Sequence, residues 1–184
     1  MTRRGGIGGS LSVLALFVGF ATADDKPKEF PTEQHKQLDV LAGNWDVAIT
    51  FKFGGQERQG KATCESKWVL DGKHLHQQYQ SSMNGRPFTV VQVLGYDANR
   101  KKFFELKLDN MDTGVMHNEG TISADGKTLS MRGDRTDPMT GQTGKMRTVT
   151  TITDKDHYTL EWYMVAPDGK EEKTVTLVHT RKTP

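Results

Sequence analysis

The stretch CESKWVLDGKHLHQQY (residues 64–79) consists of two alternating runs on either side of the dipeptide Asp71-Gly72. An Asp-Gly pair between two such runs indicates a β-hairpin with a two-residue turn. The turn fixes the register, and the register decides which side chains share a face. One face carries Glu65 and Lys67, which predicts that it meets water. The other face is predicted to point inwards, and its residues are Cys64, Ser66, Trp68, Leu75, Gln77 and Tyr79.

The neighbouring strands continue this inner face. A two-residue turn at Asn84-Gly85 sets the next strand, and a loop of three or five residues after Asp97 sets the one that follows. The first strand of the chain alternates in the same way. The residues that these strands add to the interior are Val90, Gln92 and Leu94; Phe104, Leu106, Leu108 and Asn110; and Trp45, Val47, Ile49, Phe51 and Phe53.

The predicted interior is apolar with a few polar side chains. These are Cys64, Ser66, Gln77, Tyr79, Gln92 and Asn110. Buried amides and hydroxyls need hydrogen-bond partners. Either a bound ligand supplies those partners, or the polar groups satisfy one another, as Gln77 opposite Gln92 would.

Turn dipeptides recur every 10–14 residues along the rest of the chain, with alternating runs between them. About ten consecutive antiparallel strands would leave long exposed edges in an open sheet. The sequence therefore predicts an all-β fold, an up-and-down antiparallel β-barrel of about ten strands. One short N-terminal helix over residues 32–41 is predicted before Gly43, where it would close one end of the barrel.

The N-terminal segment has the three zones of a secretory signal peptide. Residues 1–23 contain Arg3 and Arg4, an apolar run from Leu11 to Phe20, and the small-residue site at Ala21-Thr22-Ala23. Residues 24–31 then form a charged linker, and residues 32–184 a single domain. The sequence thus predicts an exported protein, periplasmic or secreted, with no integral membrane span once the signal is removed.

The mature chain carries no formal net charge, because removal of residues 1–23 takes away two arginines and no acidic residue. A neutral chain without a run of Lys or Arg lacks the electrostatic footprint of a nucleic-acid-binding protein. Cys64 is the only cysteine, so no internal disulfide is available, and we read it as a buried, unreactive thiol. The oligomeric state is not fixed by these features.

The motif Gly43-x-Trp45 opens the first strand directly after the predicted helix. It resembles the motif of lipocalins and related calycin barrels, in which the Trp packs across the closed end against an Arg from the last strand. Arg181 stands in the matching place here. The resemblance implies a structural plug in which the Arg181 guanidinium lies on the Trp45 ring as a cation–π pair.

A second resemblance covers nearly the whole mature chain. It rests on the motifs LAGNWDV (41–47), LGYDANRKKF (94–103), LDNMDTGVMHNEGT (108–121), DGKTL (125–129), DPMTGQ (137–142), APDGKEEK (166–173) and TRK (180–182). In this order they resemble the bacterial domain of unknown function 1579 family. This resemblance implies a calycin-like fold and export, and it brings no established activity or catalytic residue.

Two arrangements are open around His117. In the favoured one, Gly114 and the Asp125-Gly126 turn place Met116, Asn118, Gly120 and Ile122 inside with Leu129 and Met131, which keeps a charge out of the lumen. In the other, Val115, His117 and Glu119 point inwards. His117 would then be available as a haem ligand, as the resemblance to haem-binding calycins such as nitrobindin allows.

The last hairpin is equally ambiguous. A three-residue loop at Pro167-Asp168-Gly169 puts Trp162 and Met164 on the face of Thr174, Thr176 and Val178, and puts Glu161 and Tyr163 on the face of Val175, Leu177, His179 and Arg181. If the second face is the lumen, Arg147, Glu161 and Tyr163 form a buried polar cluster, and His179 becomes a second candidate haem ligand. If the first face is the lumen, these residues form a solvated ladder of little energetic weight.

His74 and His76 share the outer, charged face in the predicted register, so we expect no metal site there. Our main functional hypothesis is a non-catalytic barrel that binds a small, largely apolar molecule in its lumen and needs no cofactor. The candidate ligand-binding residues are Trp68, Gln77, Tyr79, Gln92, Asn110, Arg147, Glu161 and Tyr163. The alternatives are a haem barrel with redox or nitric-oxide chemistry and a solidly packed envelope interaction module.

Overall fold

The computed structural model describes residues 30–83, 85–137 and 140–183. The predicted signal peptide (1–23) and residues 24–29 of the linker lie outside the described residues. Each strand pairs with the next in antiparallel fashion, and the last pairs with the first, which confirms the closed barrel. The strands are β1 Gly43–Phe53, β2 Gln56–Val69, β3 His74–Met83, β4 Arg86–Asp97, β5 Lys102–Asp109, β6 Met116–Ile122, β7 Thr128–Thr136, β8 Thr143–Ile152, β9 His157–Val165 and β10 Glu171–Arg181.

The helix before β1 is divided into two short pieces, α1 (Glu33–Lys36) and a 3₁₀ turn (Asp39–Leu41), instead of one helix over residues 32–41. The division arises because the Leu38 N–H donates to the carbonyl of His35, three residues back, which tightens the chain. Leu38 and Leu41 are nevertheless both buried in the core. Within the described part of the chain, no helix is long and apolar enough to cross a bilayer.

The register predicted for β2, β3 and β4 is confirmed. Trp68 lies opposite Leu75 and Cys64 opposite Tyr79, and Gln77 lies opposite Gln92. The inner face predicted from the Asp71-Gly72 and Asn84-Gly85 turns is therefore the face that the barrel buries.

The prediction for β5 is wrong by one residue. Asp97 pairs with Lys102, so the intervening loop has four residues and not three or five. The Asp97 carboxylate accepts hydrogen bonds from the N–H groups of Asn99 and Arg100, and Lys101 adopts a left-handed φ of 54°. A change of one residue in register moves every side chain of a strand to the other face. Phe103, Glu105 and Lys107 consequently point inwards, and the outward-facing residues are Phe104, Leu106 and Leu108.

Asn110 is also misplaced by the sequence prediction. It is exposed beyond the end of β5, where its Oδ1 accepts the Thr89 N–H at 3.0 Å and its Nδ2 donates to the carbonyl of Pro87 at 3.1 Å. The Asn110 amide joins the chain just after β5 to the start of β4 and does not face the lumen.

The favoured arrangement around His117 is the one that the structure has. Asn118 is fully buried on the inner face, and Leu129 and Met131 are buried with it. His117 lies on the outer face with 51% of its side chain exposed. Its neighbour Glu119 is paired with Arg100 outside the barrel.

Each arrangement proposed for the last hairpin is correct for one strand only, because a β-bulge lies within it. Lys173 pairs with Tyr163, but Val175 pairs with Trp162, so Thr174 is the extra residue. The bulge reverses the facing of β10 part-way along. Trp162 therefore shares the interior with Val175 and His179, while Glu161 faces outwards.

Candidate functional site

One end of the barrel is closed by Trp45, which is fully buried. Its indole N–H donates to the carbonyl of Leu41 at 3.1 Å, and the guanidinium carbon of Arg181 lies 4.1 Å from the ring centroid. Gly43 has a φ of +125°, and a Cβ at this position would collide with the guanidinium. Glycine at position 43 thus lets Arg181 reach the tryptophan, which gives the Gly-x-Trp motif a physical basis in this chain.

Arg181 also ties three segments together. Its Nη1 donates to the carbonyl of Ala42 at 2.7 Å, and its Nη2 donates to that of Val40 at 2.9 Å. Its Nε donates to the carbonyl of Lys155, in the loop between β8 and β9, at 2.9 Å. The guanidinium therefore joins the end of the 3₁₀ turn to the loop between β8 and β9.

An aromatic layer lies directly inside this plug. The His179 ring stacks on Tyr158 with centroids 3.9 Å apart, and its Nε2 lies 3.2 Å from the Tyr79 hydroxyl. Burial lowers the pKa of His179 to about 3, so the imidazole is neutral at physiological pH. Burial also raises the pKa of Cys64 to about 12, which makes its thiol a poor nucleophile.

Four of the residues predicted to bind ligand lie on the inner face of β2–β4, although not all at the same depth. The side-chain amide of Gln77 donates to the Ser66 hydroxyl at 3.2 Å, so part of its hydrogen bonding is met within the wall. Trp68 lies at the rim, where its indole N–H donates to Asp39 at 2.8 Å. The residues deep in the interior are Gln77, Tyr79 and Gln92.

The strongest electrostatic feature of the lumen lies on β5. Glu105 is 1% exposed and Lys107 8% exposed, and both point inwards. Burial raises the pKa of Glu105, a shift that the nearby Lys107, Asn118 and Thr148 only partly offset. Burial also lowers the pKa of Lys107 to about 8. Charged groups withdrawn from water are costly unless they gain partners, so this pair requires an explanation.

The Lys107 ammonium crosses the lumen to β9. Its Nζ lies 3.8 Å from the centroid of the Trp162 ring, a cation–π contact. Neither carboxylate oxygen of Glu105 has a hydrogen-bond partner among the described residues, so Lys107 does not bond to it. The lumen therefore contains a separated acid and base, with an indole beside the base.

Two uncharged polar side chains face the Glu105 carboxylate. Asn118 is the direct neighbour of Glu105 on β6, and Thr148 on β8 is buried as well. Both side chains lie close enough to the Glu105 carboxylate to favour its charged form by hydrogen bonding, but no well-formed hydrogen bond to Asn118 Oδ1 or Nδ2, or to Thr148 Oγ1, is found in the described part of the protein. Between them, on β7, Gly133 offers no side chain, and a Cβ there would collide with Asn118 Oδ1 and the carbonyl of His117.

Replacement of Gly133 by alanine is expected to lower the free energy of unfolding by about 1–3 kcal/mol, because the new methyl group overpacks the Asn118 side chain. Gly144→Ala on β8 is the matched control, since its Cβ would meet only the flexible end of Met164 at 3.4 Å. We expect the control to change stability by less than about 0.5 kcal/mol. Urea denaturation measures both values, and equal effects would show that Asn118 does not lie over Gly133.

The unpartnered polar atoms are concentrated inside the barrel. Among the described residues, seven of the eight buried side-chain atoms without a hydrogen bond belong to inward-facing residues: Glu105, Asn118, Thr148, Trp162 and His179. Each such group left unpaired costs about 1–3 kcal/mol. We define Glu105, Lys107, Asn118, Thr148 and Trp162 as the polar lumen cluster.

Arg147, Glu161 and Tyr163 do come together, but on the outer face. The guanidinium carbon of Arg147 lies 4.3 Å from the centroid of the Tyr163 ring, and the Tyr163 hydroxyl donates to Glu161 at 2.8 Å. Lys173 and Glu171 neutralise the cluster through ion pairs with Glu161 and Arg147. Arg147, Glu161 and Tyr163 therefore form a solvated ladder outside the lumen, which is the second of the two outcomes that the sequence allows.

The two histidines considered for haem do not fit that role. His117 lies outside the barrel, as described above. The Nε2 of His179 faces the Tyr79 hydroxyl, and the imidazole is stacked on Tyr158 with Trp45 against its edge. In the described ranges, no three His, Cys, Asp or Glu side chains are placed to hold a metal ion.

Sequence reasoning missed most of the polar lumen cluster. The favoured arrangement around His117 places Asn118 inside, and one of the two arrangements of the last hairpin places Trp162 inside. The sequence gives no such indication for Glu105, Lys107 or Thr148. For β5, the cap that Asp97 forms with the N–H groups of Asn99 and Arg100 indicates a tight loop but does not fix whether its length is odd or even. The apolar character of Phe104 and Leu106 favours placing them inside, which is the wrong face.

Comparisons with known proteins agree with the fold. The family described as "Protein of unknown function (DUF1579)" matches residues 30–181. No protein in the curated set matches the chain. The crystal structure of Rv2717c from M. tuberculosis superimposes with a TM-score of 0.60 at 15% identity, covering 83% of this chain and 99% of that chain. A redesigned β-barrel, mFAP1, bound to DFHBI, gives a TM-score of 0.40 at 20% identity, covering 79% and 98% of the two chains.

Proposed function

The chain belongs to the DUF1579 family, and we propose that it binds a small, largely apolar molecule inside its barrel without transforming it. The proposal rests on the polar lumen cluster. Buried polar atoms of Glu105, Asn118, Thr148 and Trp162 in this cluster lack hydrogen-bond partners in the described protein. Natural proteins pair nearly all such groups, so a bound molecule supplies the missing hydrogen bonds here. Water competes for the same atoms, and saturable binding of an added ligand distinguishes a ligand site from a site filled by water.

The remaining interior supports an apolar body for this molecule. The walls around the cluster are formed by buried apolar side chains, among them Leu94, Phe103, Met131, Met146 and Leu160. Ligand pockets in proteins combine such walls with a few fixed polar groups. The thiol of Cys64 is unreactive and His179 is neutral and stacked on Tyr158, so neither of these two residues supplies a nucleophile or a general base.

Calorimetric titration with naphthalene tests this proposal. We expect saturable binding to the wild-type protein. Thr148→Phe places a ring in the lumen and is expected to weaken binding by at least about tenfold. Thr151→Phe makes the same change on the outer face of the same strand and is expected to leave it unaltered. Absence of binding to the wild type by both naphthalene and its polar analogue 2-quinolone would contradict the proposal and favour a solidly packed barrel.

We also propose that the protein acts outside the cytoplasm, after removal of residues 1–23. N-terminal sequencing of the protein recovered from cell fractions tests this. The expected result is a periplasmic or secreted chain that begins at Asp24. A cytoplasmic chain that begins at Met1 would contradict it.

A further inference from the structure

The polar lumen cluster is balanced in charge. It contains one carboxylate, Glu105, and one ammonium, Lys107, which together carry no net charge when both are ionised. Asp109 and Arg135, whose charges also act on Lys107, add one charge of each sign. The ammonium lies on the Trp162 ring, and the carboxylate faces Asn118 and Thr148. A ligand that brought its own net charge would leave one charge uncompensated in a water-poor interior, which is costly. The cluster therefore favours a neutral ligand.

The cluster also offers both kinds of hydrogen-bonding group. The unpaired acceptors are the two Glu105 oxygens and Asn118 Oδ1, and the unpaired donors are Asn118 Nδ2, Trp162 Nε1 and the Thr148 hydroxyl. Asn118 sits next to Glu105, on the neighbouring strand. A carboxylate acceptor thus lies beside an amide donor, and a complementary ligand needs an N–H next to a carbonyl.

The space near the cluster is narrow. Lys107 on β5 reaches the Trp162 ring on β9 with its own side chain, at 3.8 Å from the centroid. On β7, the Asn118 side chain fills the place that a Gly133 side chain would take, since a Cβ there would collide with Asn118 Oδ1. The room left beside the cluster is therefore small, and a thin, planar molecule needs less of it than a globular one.

From these observations we propose that the lumenal ligand is a neutral, planar molecule with a lactam or ureide edge. Its N–H donates to the Glu105 carboxylate, and its carbonyl accepts from the Asn118 amide and the Trp162 indole. Its apolar body lies against the aliphatic and aromatic walls. This inference rests on the proposed function and specifies the chemical class of the ligand.

A matched set of bicyclic probes tests the inference. 2-Quinolone carries the lactam edge, N-methyl-2-quinolone lacks its donor, and naphthalene lacks both polar groups. 2-Naphthoate and 2-naphthylmethylammonium add a negative and a positive charge. We expect 2-quinolone to bind the wild-type protein about tenfold more tightly than each of the other four probes, since only it meets both polar partners without a net charge.

Nuclear magnetic resonance of the tryptophan indoles locates the binding. The chain has three tryptophans. The N–H groups of Trp45 and Trp68 already donate to Leu41 and Asp39, whereas that of Trp162 has no partner in the described protein. With 2-quinolone, the Trp162 indole N–H signal is expected to move to lower field, as it gains an acceptor, while the other two stay in place.

A double variant tests the role of the carboxylate. Glu105→Gln with Lys107→Met keeps the cluster neutral but replaces the carboxylate acceptor by an amide. We expect it to lose most of the preference for 2-quinolone over N-methyl-2-quinolone. The inference alone would be overturned if the wild type bound 2-quinolone, its N-methyl derivative and naphthalene equally well, or if it preferred a charged probe. If no probe binds the wild type, both the inference and the proposed function fail. These outcomes concern the wild type and hold even if the double variant does not fold.

Discussion

Trp45→Ala is expected to lower the free energy of unfolding by about 3–5 kcal/mol, the usual cost of removing a fully buried large aromatic side chain. The substitution opens a cavity beside Tyr158, whose ring centroid lies 4.7 Å from that of Trp45. It also removes the surface on which Arg181 lies and the donor to the Leu41 carbonyl. Chemical denaturation followed by circular dichroism measures the change.

Trp45→Phe is the matched control for this variant. Phenylalanine keeps an aromatic ring under Arg181 but removes the indole N–H that bonds to Leu41. We expect a loss of about 1–2 kcal/mol, from one buried hydrogen bond and a smaller ring. If alanine at position 45 costs less than about 1 kcal/mol, Trp45 does not close the end of the barrel as described.

Lys107→Met is expected to lower the free energy of unfolding by about 3 kcal/mol at pH 7, where Lys107 is mostly charged, because it leaves the buried Glu105 carboxylate without its compensating charge. Methionine matches the length of the aliphatic part of lysine, so packing against Trp162 is largely preserved. The loss is expected to be smaller at pH 5, because burial raises the pKa of Glu105 and protonation of the carboxylate removes the uncompensated charge. Urea denaturation across this pH range measures the effect.

The pH dependence follows from the direction of the two shifts. The pKa of Glu105 is raised in the folded protein, so the unfolded chain releases this proton first as the pH rises above about 4.5. The folded state then loses stability until the pH reaches the folded-state pKa, and Lys107→Met extends this loss to higher pH. In the wild type, the lowered pKa of Lys107, about 8, adds stability as the pH rises from 8 to 10.5, and the variant lacks this gain.

Lys145→Met is the control, because its side chain is 74% exposed and its ion pair with Asp134 lies on the surface. We expect it to change the free energy of unfolding by less than about 1 kcal/mol at either pH. An equal response of the two variants to pH would show that Lys107 is not buried beside Glu105.

The sequence is most informative where a turn type is unambiguous. The Asp71-Gly72 and Asn84-Gly85 pairs fix one register each, and the alternation of β2, β3 and β4 follows from them. The match of Trp45 with Arg181 needs only that the first and last strands meet when the barrel closes. These features depend on residues close in sequence or on a motif already tied to a geometry.

The sequence is least informative where a single residue changes the phase of a strand. The loop after Asp97 has an even length that its composition does not reveal, and β5 places Phe104 and Leu106 outside against ordinary hydrophobic patterning. The bulge at Thr174 lies inside a run that reads as regular strand. Both errors bear on the site. The β5 register hid Glu105 and Lys107 and assigned Asn110 to the lumen, and the bulge left the facing of Trp162 and His179 undecided.

Our central claim is that Glu105 faces a water-poor lumen, and a carbon-13 NMR titration of the side-chain carboxyl groups tests it most directly. The Glu105 signal is assigned by its absence from the spectrum of Glu105→Gln. The account predicts that this carboxyl titrates above the ordinary value of 4.5. Titration of Glu105 at the ordinary value would contradict the account, because it would place the carboxylate in water.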